Sequence, residues 1–112
     1  MKSQMRFGAE MARKGNWREA IYRWEKALAL EPENYRLHNN LAVACEALGR
    51  YEEAEKEYSK ALSLGKNDKI VKQNYNLFMK FYADFKTTGK GSHEKMSHDA
   101  SPPDAFHPDP GN

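Results

Sequence analysis

Two stretches decide the fold when set side by side: "GNWREAIYRWEKALALEP", Gly15 to Pro32, and "GRYEEAEKEYSKALSLGK", Gly49 to Lys66. They lie 34 residues apart and share Gly15/Gly49, Glu19/Glu53, Ala20/Ala54, Lys26/Lys60, Ala27/Ala61, Leu28/Leu62 and Leu30/Leu64. Trp17/Tyr51 and Trp24/Tyr58 add aromatic matches. A fixed period of this length marks a repeat architecture, in which each unit buries its apolar face against the next. Ala20, Trp24, Ala27 and Leu28 fall at helical spacing, and so do Ala54, Tyr58, Ala61 and Leu62.

Working outward, Phe7, Met11 and Lys14 lie on one face of an earlier helix, and Leu41, Cys45 and Leu48 repeat that face. Gly15 and Gly49 stand where these first helices must stop, since glycine accepts the left-handed conformation of a C-terminal stop. Asn16 is positioned to cap the second helix, with Glu19 completing a capping box. Pro32 ends that helix and Asn34 caps the next. The spacing predicts helix–turn–helix hairpins at 2–14 with 17–30 and 35–48 with 51–64, then one further helix at about 68–88.

These residues resemble the tetratricopeptide repeat (TPR) family. The family's small residue in the first helix matches Gly8 and Ala42, and its small pair in the second matches Ala20/Ala27 and Ala54/Ala61. The aromatic between that pair matches Trp24 and Tyr58, and the closing proline matches Pro32. The pattern departs at Gln4 and His38, which replace an early aromatic, and at Lys66, which stands where a second proline would be. The resemblance implies an all-α solenoid of antiparallel helix–turn–helix repeats. Its divisions are a domain at 1–88 (repeats 1–34 and 35–68, capping helix 69–88) and a tail at 89–112.

The resemblance further implies a concave groove lined by the first helix of each unit. Its positions fall on Lys2, Met5, Arg6, Ala9, Ala12 and Arg13; on Arg36, Asn39, Asn40, Val43, Glu46 and Ala47; and on Ile70, Gln73, Asn74, Leu77, Lys80 and Phe81. Asn40 and Asn74 are one repeat apart, so a column of amides could pair with the backbone of an extended peptide. Arg6, Arg13, Arg36 and Lys80 outnumber Glu46, which favours an acidic ligand. The family's chaperone-docking carboxylate clamp would map to Met5, Ala9, Asn40, Ile70 and Asn74, of which Asn40 alone fits, so that mode is not expected.

"QNYNLFMKFYADF", Gln73 to Phe85, carries five aromatics in thirteen residues. On a wheel of 100° per residue, Val71, Tyr75, Phe78, Met79, Tyr82 and Phe85 make one stripe, with Ile70, Leu77 and Phe81 adjoining. That apolar arc spans about 200°, twice what a one-sided surface helix needs. Part of it would close the second hairpin. The surplus predicts an apolar interface of Phe78, Met79, Phe81, Tyr82 and Phe85.

The chain has 112 residues and a formal net charge of +2. By segment the net charge is +2 (1–34), −1 (35–68), +4 (69–90) and −3 (91–112), so a basic last helix precedes an acidic tail. Basic and acidic residues alternate elsewhere, and no concentrated basic face of a nucleic-acid binder is expected. With one cysteine, Cys45, no intrachain disulfide can form, which fits a reducing compartment. No apolar run is long enough for a signal peptide or a membrane span, which favours the cytoplasm. An exported or envelope-associated setting would apply if the chain is a processed fragment.

No nucleophile–base constellation or phosphate loop appears, and His38 is isolated, so an enzyme, a cofactor and a small-molecule substrate are not expected. The tail holds His93, His98, His107 and Met96, whose spacing matches no fixed metal site; weak nickel or copper binding is the most it allows. Its prolines and charge predict disorder. The expected function is a non-catalytic interaction module, an adaptor or scaffold, holding a peptide segment or partner helix in its groove. The alternative is a structural subunit that self-associates or coats a larger assembly through its open apolar ends.

Overall fold

The computed structural model describes residues 2–88, and side chains within 4–87. Five helices run α1 (Lys2–Arg13), α2 (Trp17–Leu30), α3 (Tyr35–Ala47), α4 (Tyr51–Leu64) and α5 (Lys69–Thr88), with no strand among the described residues. The residues for which disorder and weak metal binding are expected lie outside the described residues.

Helix ends follow the glycines. Gly15 and Gly49 have φ of 82° and 79°. At each, the glycine N–H donates three residues back, to Ala12 (2.9 Å) and Glu46 (3.0 Å), and the next N–H reaches five back, to Met11 and Cys45 (2.8 Å each). This paired-bond stop satisfies carbonyls that a helix end otherwise orphans. Asn34 caps α3, its side-chain oxygen accepting from the Arg36 and Leu37 amides at 3.0 and 3.3 Å. Asn16 does not cap α2. Its side-chain amide lies 3.9 Å from the Met11 sulfur, and Glu19 pairs with Arg23 at 3.0 Å, so the expected capping box is absent.

Packing repeats with the sequence. Trp24 is fully buried against Gly8, where a Cβ would lie 2.3 Å from its ring nitrogen, and that nitrogen donates to the Met5 carbonyl at 3.2 Å. Tyr58, its counterpart one repeat on, is buried and donates to Glu46 at 2.8 Å. Leu41 and Cys45 are buried where α3 packs on α2, whereas Phe7, one repeat earlier, is 48% exposed because no described helix precedes α1.

α5 closes the stack through aromatics. Tyr51 meets Phe81 and Phe85 edge-on with centroids 5.1 and 4.9 Å apart, and Phe78 lies against Tyr58 (5.1 Å) and Tyr82 (5.2 Å). Such pairs add about 0.5–1.5 kcal/mol beyond area burial. Phe78 and Tyr82 are consequently buried inside the chain, which corrects the expectation that they offer an open interface. Met79, Phe81 and Phe85 are partly buried against the same core.

Candidate functional site

The inner layer is held together at α3 and α5 by two side-chain clasps. Tyr35 Oη donates to Asp68 Oδ2 at 2.9 Å, and Asn74 Nδ2 donates to Asn39 Oδ1 at 3.2 Å. Asp68 also caps α5, accepting from the Ile70 and Val71 amides at 2.9 and 3.3 Å. Burial pushes its carboxyl up, but the bonds from Tyr35, Val71 and Ile70, with Arg36 nearby, hold it below the ordinary carboxylate range. Gly65 permits the clasp, because a Cβ there would lie 2.5 Å from the Tyr35 ring.

The groove residues expected from the sequence separate into an exposed set and a buried set. Arg6 and Arg13 on α1, Arg36 on α3, and Gln73, Leu77 and Lys80 on α5 are exposed. Leu77 is 51% exposed, an apolar side chain left open to water. Asn39, Asn40, Val43 and Asn74 are buried. The expected surface column of Asn40 and Asn74 is therefore corrected: Asn74 is committed to Asn39. Asn40 is 1% exposed, and neither its Nδ2 nor its Oδ1 meets a hydrogen-bonding group; Asn74 Oδ1 is also unpartnered. Buried amide atoms without partners cost about 1–3 kcal/mol each.

Glu46, the acid of the central helix at these positions, is not a solvated counter-charge. It is partly buried and accepts from Tyr58. Burial pushes its carboxyl up to about 7, against the opposing pull of that hydrogen bond. Near neutrality it therefore carries less than a full negative charge.

Two other features bear on the site. His38 is buried, with Nδ1 2.7 Å from Glu57 Oε1 and Nε2 2.8 Å from the Pro32 carbonyl, so it ties α3 to α4 and to the preceding loop. On the outer side, an open cleft of about 900 Å³ lies between α4 and the end of α5, lined by Glu52, Glu55, Glu57, Lys60, Tyr82 and Lys86 in mixed charge. No group of three or more His, Cys, Asp or Glu among the described residues could hold a metal ion. None of the described helices is long and apolar enough to cross a membrane.

Sequence reasoning found the exposed cations and missed both clasps. Asp68 before an apolar run is a readable cap signal. The Asn39–Asn74 and Glu46–Tyr58 pairings depend on inter-helix register, which residue type alone does not specify.

A stack of helical hairpins repeating every 34 residues defines the class: an α-solenoid repeat module. The chain belongs to the tetratricopeptide repeat family, whose sequence pattern matches residues 11–69. A TPR repeat-containing thioredoxin, TTL4, from Arabidopsis thaliana is 46% identical over 55 residues, covering 49% of this chain and 8% of that protein. A peroxisomal targeting signal receptor from Kluyveromyces lactis is 41% identical over 59 residues, covering 53% of this chain and 10% of that protein. The chain thus spans a tenth or less of the length of either relative. No solved structure gives a significant match. Modules of this family are in general non-catalytic and mediate contacts between proteins.

Proposed function

We propose that the chain is a non-catalytic adaptor whose concave face takes an extended, acidic protein segment carrying at least one apolar side chain. The observation that carries this reading is that Arg6, Arg13, Arg36 and Lys80, and half-exposed Leu77, are open to solvent on α1, α3 and α5, the helices equivalent by repeat. Complementary potential of this kind steers encounter and sets specificity. One relative is by name a receptor for a targeting signal, which is consistent with a segment-binding role.

Fluorescence anisotropy with a labelled acidic peptide containing one phenylalanine tests it. The double variant Arg36→Glu, Lys80→Glu should weaken binding about tenfold or more, and added salt should weaken wild-type binding progressively. The outer-face control Lys26→Glu, Lys60→Glu should bind as wild type does. Equal loss in both variants would contradict the reading.

A second reading, self-association through an open end, is favoured by Phe7 and Tyr22, which stay about half exposed on the first hairpin with Arg23 over both rings (5.5 and 5.9 Å). Sedimentation over a concentration series tests it, and a monomer throughout would set it aside.

A further inference from the structure

The exposed cations of α1, α3 and α5 have a charge complement within this chain itself: the segment that follows α5. Residues 91–112 carry Glu94, Asp99, Asp104 and Asp109 against the lone Lys95, a net charge of −3 directly after the most basic segment of the molecule. Within it, "PPDAFHPDP", Pro102 to Pro110, places one large apolar side chain, Phe106, between Asp104 and Asp109. That is the chemistry the concave face selects: acids to meet Arg36 and Lys80, and an aromatic to cover Leu77, half of whose surface is open to water. Length permits the contact. Phe106 is 18 residues beyond Thr88, a reach of about 60 Å when extended, against a longest dimension of 40 Å. Proline suits the role as well. The segment contains four prolines, and a proline ring fixes φ in the free chain as in the bound one, which reduces the entropy lost on docking.

We infer that the segment Pro102–Pro110 of the same chain occupies the concave face, so that an outside partner must displace it. This deepens the reading of that face as a segment-binding surface and rests on it. The linkage is quantitative. If the tail fills the groove nine-tenths of the time, the apparent affinity for a competing ligand falls about tenfold, because one-tenth of the molecules remain competent. Partner binding would then be governed by anything that changes the charge of the tail.

Two measurements on the full chain decide the matter. In the first, Ala105→Cys carries a nitroxide, Cys45 being buried and out of the reagent's reach. The amide signals of Arg36, Gln73, Leu77 and Lys80 should lose more than half their intensity, while those of outer-face Lys26 and Lys60 should not. Mixing ¹⁵N-labelled wild type with unlabelled spin-labelled chain should abolish the effect; broadening that persists in the mixture would place the tail on a second copy and overturn the intramolecular contact. In the second, the variant Glu94→Gln, Asp99→Asn, Asp104→Asn, Asp109→Asn should bind a synthetic peptide of residues 99–110 about tenfold more tightly than wild type does. Equal affinity for the two proteins, or no binding by either, overturns the proposal. An unrelated acidic peptide with one phenylalanine, run in parallel, reads the face itself. Binding of that peptide that is lost in Arg36→Glu, Lys80→Glu, together with no relaxation effect from the tail, keeps the binding face and rejects its internal occupant. No binding of either peptide rejects both.

Discussion

Asn74 donates its side-chain amide to the side-chain oxygen of Asn39 at 3.2 Å, joining α5 to α3 across 35 residues of sequence, while Asn40, next to Asn39, makes no such bond. Two adjacent buried amides in one helix thus have opposite energetic standing. Asn74→Ala leaves the Asn39 oxygen buried and unpaired and should destabilise the fold by about 1–3 kcal/mol. Asn40→Leu replaces two unsatisfied polar atoms with methyl groups on the same heavy-atom skeleton and, where the larger methyls are accommodated, should stabilise it by about 1–2 kcal/mol. Urea unfolding of the two variants checks the sign. Stabilisation by Asn40→Leu together with weaker ligand binding would mark Asn40 as a residue kept for function at a cost in stability.

The fit of Trp24 over Gly8 makes a steric prediction. Gly8→Ala would set a Cβ 2.3 Å from the indole nitrogen, forcing the ring away from the Met5 carbonyl it bonds. Overpacking of this kind costs about 1–3 kcal/mol. Gly15→Ala meets no neighbouring atom, yet its φ of 82° makes it unfavourable by about 1 kcal/mol through the backbone alone. Thermal unfolding should rank Gly8→Ala as the more damaging change.

Glu46 should make stability depend on pH. Its carboxyl is moved from an ordinary value of 4.5 to about 7 in the folded chain. Between those values the folded chain holds a proton that the unfolded chain has released. This contribution is therefore fully present below 4.5 and is lost as pH rises through about 7. Glu46→Gln keeps an acceptor for Tyr58 and removes the titration. The wild-type deficit relative to Glu46→Gln should grow by about 1 kcal/mol or more between about pH 5 and pH 8. Tyr51 and Tyr58, the neighbouring ionisable groups, are themselves pushed up, by burial first and then by Glu46, and stay neutral over this range.

Cys45 reports unfolding. Burial first, then the nearby Glu53 and Glu57, push its thiol up from 9.0 to about 12. Iodoacetamide should modify it at least about a hundredfold more slowly in the folded chain than in urea. Variants that destabilise the fold should speed this reaction in the order of their stability loss.

The 34-residue period made the five helices legible, with boundaries that differ from the observed ones by about one residue. The turns were legible because Gly15 and Gly49 serve a backbone conformation that few other residues accept. The exposure of the candidate groove residues was legible in part. Exposed Arg6, Arg13, Arg36, Gln73 and Leu77 followed from the helix phase that the family resemblance implies. Asn39, Asn40, Val43 and Asn74 share that phase yet are buried, because how closely α3 and α5 approach depends on Tyr35 fitting over Gly65 and reaching Asp68. The α5 aromatics were over-assigned to an interface for a similar reason: Tyr51, read as a match to Trp17, reaches across to four rings of α5 and draws Phe78 and Tyr82 inside.

The most direct test of the binding face is a ¹⁵N–¹H titration of the full chain with the acidic, single-phenylalanine peptide. The largest shifts should fall on Arg6, Arg36, Gln73, Leu77 and Lys80, and should vanish in the Arg36→Glu, Lys80→Glu variant. Shifts confined to the outer faces of α2 and α4, or none at millimolar peptide, would contradict the assignment of the concave face as the site of binding.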